Sequence, residues 1–374
     1  MKQNTIKPEK SVLYKYRKAL VFLFLFTFII GTNAQFEPGF NKNEASTMMR
    51  LTRYPYYKPE KRDSIMAIEA PGYNIVKFVD SIALDNAWCV LTNGKNGVVS
   101  FRGTTDNPIS WLENFYAAMI PAIGEVTSPQ GKVVQYKFAD DPRAGVQSGW
   151  SLALLVMSKD ILNEIRQLND KGIYNIYITG HSQGGALALL FRALLEHLPD
   201  SVLSNKNIFK TYAFAAPKPG NRFFTYDYNR ICNSDLSSFN FINPYDWVPQ
   251  VPFTVQSPNN ITAPNPFLEF ESSKEGSLVK RIALHQIYGS MKNPIVKAQK
   301  KLNKNLGHRV KKIIEKTTGG FTVPEYMPDA AYFPAGVSVT LGHFEPMINP
   351  EDENDVFWQH NPEHYIELVD KFFR

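Results

Sequence analysis

The chain has 374 residues, 44% hydrophobic and 20% charged, without a low-complexity tract, so it can bury a sizeable core and is neither disordered nor fibrous in composition. Its formal net charge is +6, but Lys2, Lys7, Lys10, Lys15, Arg17 and Lys18 crowd the first 34 residues beside one acid, Glu9. Without that segment the formal charge is +1, which excludes a global electrostatic case for nucleic-acid binding.

The basic start leads into an apolar run from Ala19 to Ile30, followed by Gly31-Thr-Asn-Ala34. This order predicts a secretory signal peptide cleaved after Ala34. The run is shorter than the roughly 20 residues of a spanning helix, and a retained signal anchor is the competing reading. The expectation is a protein secreted to the medium or the periplasm, with 35–374 as one domain. Export permits a disulfide between Cys89 and Cys232. Cys89 lies in the apolar run Trp88-Cys-Val-Leu-Thr92, however, and both cysteines are read as buried thiols. Without matching histidine spacing they make no zinc site.

Residues 43–57 read as a short helix and turn. Two apolar runs, 86–92 and 97–101, flank Asn93-Gly-Lys-Asn-Gly97 and read as strand, turn and strand. Residues 105–145 are rich in Pro, Gly and aromatics around the amphipathic stretch Ile109–Tyr116. Residues 146–169 have helical spacing, with Trp150, Leu152, Leu154, Leu155, Ile161, Ile165 and Leu168 mostly on one face. A strand follows at 173–179, a helix from Gly184 to Leu198, and short strands at 211–215 and 239–242. Strands alternating with helices predict an α/β fold with a mostly parallel central sheet flanked by helices.

Residues 255–345 lose this pattern and read as an inserted, cap-like segment. Within it, 291–316 carry nine basic residues and one acid, Glu315, with Ile295, Leu302, Leu306, Val310 and Ile313 at three- and four-residue spacing. This is a basic amphipathic helix. It reads as a solvated helix capping the domain, with attachment to an anionic membrane surface as the alternative.

Gly180-His-Ser-Gln-Gly-Gly185 contains G-x-S-x-G between a strand ending at Thr179 and a helix beginning near Gly184. That context defines a nucleophile elbow, a tight turn that lifts the Ser182 hydroxyl clear of the sheet. A serine hydroxyl needs a base, and the base an orienting carboxylate, in the chain order Ser, acid, His. His181 is expected to point away across the turn, and His197 to lie on a solvated helix face. Asp246, just past an apolar run, fits the acid; His285, His308, His343, His360 and His364 remain for the base.

Five blocks in order resemble the class 3 lipases, the fungal-lipase-like α/β-hydrolases. They are Val99-Ser-Phe-Arg-Gly-Thr104, Gly180-His-Ser-Gln-Gly-Gly-Ala-Leu-Ala188, Ala216-Pro-Lys-Pro-Gly-Asn221, Asn243-Pro-Tyr-Asp-Trp-Val-Pro-Gln-Val-Pro252 and His360-Asn-Pro-Glu-His-Tyr365. The resemblance implies Asp246 as triad acid and His360 as base, with His364 the runner-up. It implies Thr104 and Gln183 as oxyanion-hole residues, Arg102 as a structural ion-pair residue, and no metal or organic cofactor. It further implies hydrolysis of lipid esters, with a lipid or ester substrate, a transient membrane or lipid-droplet surface, and no obligate protein partner. The alternatives are an amidase, peptidase or acyltransferase on the same fold, and a non-catalytic lipid-binding surface protein. Gln147 stands where the family often has histidine, and is expected to be supporting structure. The stretch after Thr104 occupies the place of the family's lid, with Trp111, Leu112, Phe115, Tyr116, Met119 and Ile120 forming either a lid face or ordinary core.

Overall fold

In the computed structural model the alternating apolar runs build a seven-stranded sheet with helices packed around it. The structure describes residues 36–128, 131–232, 235–262, 265, 278–318 and 320–372. Two units divide the chain, Met1–Glu37 and Pro38–Arg374. The expected signal peptide at 1–34 lies outside the described residues. No helix among the described residues is long and apolar enough to cross a membrane.

The second unit begins with helices α1 (Lys42–Leu51) and α2 (Pro59–Glu69), and strands β1 (Asn74–Ile82), β2 (Asn86–Thr92) and β3 (Asn96–Phe101) follow. Asn41 caps α1, its Oδ1 accepting from the backbone N–H groups of Asn43 and Glu44. Next come α3 (Pro108–Phe115), α4 (Ser148–Asp170), β4 (Asn175–His181), α5 (Gln183–Glu196), β5 (Ile208–Phe214), α6 (Arg222–Cys232) and β6 (Ser238–Ile242). The chain ends with α7 (Leu278–Leu302), a π-helical stretch Asn303–Arg309, α8 (Val310–Thr318), β7 (Val337–Thr340) and α9 (Pro362–Phe372).

The seven strands lie in sequence order across the sheet. The pairs β1–β2 and β2–β3 are antiparallel, and every pair from β3 to β7 is parallel. A parallel pair needs a crossover, and α4, α5 and α6 supply the first three. β4 sits at the centre between β3 and β5, and every residue from Ile176 to His181 is buried. That is why this strand is apolar on both faces rather than alternating. On α4, Trp150, Leu154, Ile161, Ile165 and Leu168 are all buried against the sheet, as the spacing predicts.

The sheet extends further than the sequence pattern suggests. β1 is half-exposed at the edge and carries Lys77 and Asp80, so its pattern is too polar to stand out. β7 falls inside the stretch expected to be an insertion, 255–345, yet pairs in register with β6 from Phe239–Val337 to Ile242–Thr340. With four residues of which only alternate ones are half-buried, it lacks the apolar run that marks an interior strand. Cys89 and Cys232 are both free and buried.

Candidate active site

Ser182 sits between β4 and α5 with φ 61° and ψ −133°, a strained conformation for a residue with a side chain. The flanking glycines make that turn feasible. A Cβ on Gly180 would lie 2.1 Å from the Gly184 carbonyl oxygen, and one on Gly184 would lie 2.3 Å from that of Phe101. The turn is held by the Ser182 N–H, which donates to the Phe214 carbonyl at 2.9 Å. The first N–H groups of α5, Gln183 among them, have no carbonyl one turn back and face the region before the helix.

Asp246 follows β6 in a turn and its side chain is fully buried. Three donors converge on it. Its Oδ1 accepts from the Val248 N–H at 2.9 Å, and its Oδ2 from the Tyr365 hydroxyl at 2.9 Å. The same Oδ2 lies 2.7 Å from His360 Nδ1. Against a carboxylate, Nδ1 carries the proton, which leaves Nε2 as the basic nitrogen. The Tyr365 hydroxyl also accepts from the Asn243 N–H at 3.0 Å, so one phenol ties the strand end to the acid. Burial and the neighbouring Asp246 charge push the Tyr365 phenol well above its usual range, so it remains a donor.

Ser182, His360, Thr104, Gln183 and His181 all line one cavity of about 800 Å³. Asp246 stands behind His360, outside the lining. Thr104 is bound from both sides: its hydroxyl donates to Gln183 Oε1 at 2.9 Å and accepts from Asn114 Nδ2 at 2.9 Å. The Thr104 hydroxyl proton is thereby committed to Gln183. Asn114 is fixed in turn by Trp150 Nε1 at 2.9 Å. On the other side Gln183 Nε2 donates to Asn86 Oδ1 at 3.1 Å, and Asn86 Nδ2 donates to Glu113 Oε2 at 2.5 Å. Burial holds the Glu113 carboxyl well above the usual carboxylate range. Gln147, in place of the family's histidine, bonds the Glu113 and Asn114 carbonyls through Nε2 and accepts from the Trp150 N–H, capping α4.

Several expectations change in three dimensions. His181 does not point away: it is buried, its ring centre is 4.6 Å from that of His360, and it lines the cavity. Its burial, followed by the nearby His360, depresses its pKa well below the usual imidazole value. His364, the runner-up for the base, is buried, stacks on Phe344 at 3.6 Å and bonds the Trp358 carbonyl through Nδ1. His197 is not on a solvated face, since its side chain is 4% exposed and lies 3.2 Å from Asp227. With Asp140 it forms a group of metal-type ligands, but Lys137 and Arg230 already supply cations to the two carboxylates. Arg102 pairs with Asp80 at 2.8 Å, as expected of a structural residue. The segment in the lid position divides: Trp111 and Phe115 line the cavity, while Tyr116, Met119 and Ile120 are buried core.

Sequence reasoning missed Asn86, Glu113 and Asn114. The one local signal is Glu113, the only charged residue in the stretch Ile109–Tyr116. It also missed that Leu302 and Leu306 of the basic segment wall the cavity.

A serine on a strained strand–helix turn and a histidine–aspartate pair at one cavity, on this sheet, define a protein of the α/β-hydrolase fold. Residues 98–256 match the family Lipase (class 3). That stretch contains Thr104, Ser182 and Asp246; His360 lies beyond it and is brought in by the fold alone. A secreted mono- and diacylglycerol lipase of Malassezia restricta is 30% identical over 157 residues, 41% of this chain and 46% of that protein. A triacylglycerol lipase of Ricinus communis is 34% identical over 87 residues, 23% of this chain and 16% of that protein. The chain thus spans less than half the length of these curated relatives. Among solved structures, lipase II from Rhizopus niveus aligns with a TM-score of 0.43 at 22% identity, covering 56% of this chain and 74% of its own.

Proposed function

We propose that this protein is a secreted serine hydrolase that cleaves carboxylic ester bonds of lipids. Ser182 Oγ attacks the ester carbonyl while His360 Nε2 takes its proton. Asp246 holds the imidazole in the required tautomer and stabilises the imidazolium. The Thr104 and Gln183 N–H groups receive the developing oxyanion, each contributing about 3 kcal/mol of barrier lowering. His360 returns the proton to the leaving alcohol, and water repeats the cycle on the acyl-enzyme. The observation that carries this reading is the 2.7 Å contact between His360 Nδ1 and the buried Asp246, at the cavity that Ser182 also lines.

Secretion is supported by the signal-like first 34 residues and by relatives named as secreted lipases. The cavity wall, with Trp111, Phe115, Trp247, Phe253, Leu302 and Leu306, suits an acyl chain. Partial acylglycerols are the first substrates to offer, given the names of the relatives. The test is hydrolysis of short-chain soluble esters and of mono-, di- and triacylglycerols by residues 35–374, beside the folded Ser182→Ala variant. Turnover that the variant loses supports the assignment. Ester turnover no greater than the variant's overturns it.

A further inference from the structure

The helical arm formed by α7, Asn303–Arg309 and α8 has an outward face that ester hydrolysis leaves unused. Its inner face is fastened to the body. Gln299 Nε2 donates to the Val255 carbonyl and to Asn260 Oδ1, both at 2.9 Å, and Asn303 Nδ2 donates to the Met327 carbonyl at 2.7 Å. Gly307 lies so close that an added Cβ would be 2.8 Å from Ala118 and from Tyr326. Val310 and Ile314 continue the buried row.

Lys297, Lys300, Lys301, Lys304, Arg309 and Lys312, by contrast, are all exposed. The only acid between 291 and 316, Glu315, lies 3.6 Å from Lys311. No carboxylate among the described residues is recorded in an ion pair with any of the six. Residues 35–374 together carry only +1, so the chain outside this arm is net acidic and the arm is a local excess, not part of a generally basic surface.

The arm also borders the cavity. Leu302, Asn305 and Leu306 wall it, and Lys301 stands one helical turn before Asn305 on the same row. Other parts of the cavity lining reach solvent through Phe253, 74% exposed, and Phe115, 53% exposed. A lysine-rich arm that walls a cavity whose lining includes exposed aromatics matches what an anionic bilayer offers: negative headgroups over an interface that accepts aromatic rings.

We propose that the arm docks this protein onto anionic phospholipid bilayers, with the cavity opening turned toward the lipid. This deepens the ester-hydrolysis reading by stating where the substrate is met, and rests on it only for what then enters the cavity. Docking itself requires no turnover.

The test uses residues 35–374, which contain the whole compact unit Pro38–Arg374, carrying Ser182→Ala so that no lipid is consumed. Co-sedimentation is measured with vesicles of phosphatidylcholine alone and of phosphatidylcholine mixed with phosphatidylglycerol. A second protein adds Lys297→Glu, Lys300→Glu, Lys301→Glu and Lys304→Glu. The first protein is expected to bind the anionic vesicles at least about tenfold more tightly, with salt weakening the preference. Loss of each basic charge near the surface is worth about fivefold, so the second protein loses the preference. In the Ser182 background the same four changes leave soluble short-chain ester turnover unaltered, which reports folding and separates docking from chemistry. Equal binding to both vesicles, unchanged binding after charge reversal, or no vesicle binding overturns the proposal. An intact preference without any ester turnover leaves docking standing and removes the hydrolase reading instead.

Discussion

His360 Nδ1 and Asp246 Oδ2 lie 2.7 Å apart across 114 residues of chain. The contact couples the loop after β6 to the short turn before α9, and Tyr365 seals it by donating to the same oxygen. His364, one helical turn beyond His360, is turned instead onto Phe344.

That difference predicts which histidine the reaction uses. His360→Ala and Asp246→Asn are each expected to lower kcat by about 10⁴-fold, because the base or its tautomer is lost. His364→Ala is expected to keep kcat within about tenfold and to lower the melting temperature, as befits a buried stacking residue. Steady-state kinetics beside thermal melts separate the two effects, and a collapse of kcat in folded His364→Ala would reassign the base.

Tyr365→Phe removes one donor to Asp246 and leaves the Asn243 N–H without its acceptor. A buried donor left unpaired costs about 1–3 kcal/mol. The variant is expected to unfold at correspondingly lower denaturant, and its kcat to fall more than its KM changes, since Asp246 is less firmly held. Wild-type stability together with wild-type kcat would show that the hydroxyl does neither job.

Glu113 predicts a pH dependence with a definite sign. Burial raises its folded-state pKa well above 4.5, so between the unfolded and folded values the native state holds a proton that the unfolded chain has released. Stability from this group is full below the unfolded pKa and declines by about 1.4 kcal/mol per pH unit as pH rises toward the folded pKa. Glu113→Gln keeps an acceptor for Asn86 and removes the titration. It is therefore expected to be more stable than the wild type at pH 8, with the gap closing toward pH 4. Denaturant unfolding at several pH values measures this, and a gap independent of pH would mean that Glu113 is ionised in the native state.

Much of this protein can be read along the chain. The Gly-x-Ser-x-Gly spacing places Ser182 because only glycine fits against the Gly184 and Phe101 carbonyls, a steric demand that is local and so written in adjacent residues. The central strands and α4 are legible because burial forces apolar patterning at periods of two and 3.6. The order of the Thr104, Ser182, Asp246 and His360 blocks likewise follows from sequence. Tertiary structure decided what depends on partners far away in the chain. It paired β7 with β6 through backbone hydrogen bonds that leave little trace in side-chain pattern. It turned His181 inward and His364 away from the acid. It linked Asn86, Glu113, Gln183 and Thr104 through hydrogen bonds between segments up to 97 residues apart. It set the basic arm against the cavity, with Leu302 and Leu306 on the wall and the lysines outside. Periodicity can name the two faces of such a helix, but which face meets the protein is fixed only when Gly307 and Gln299 find the surfaces they fit.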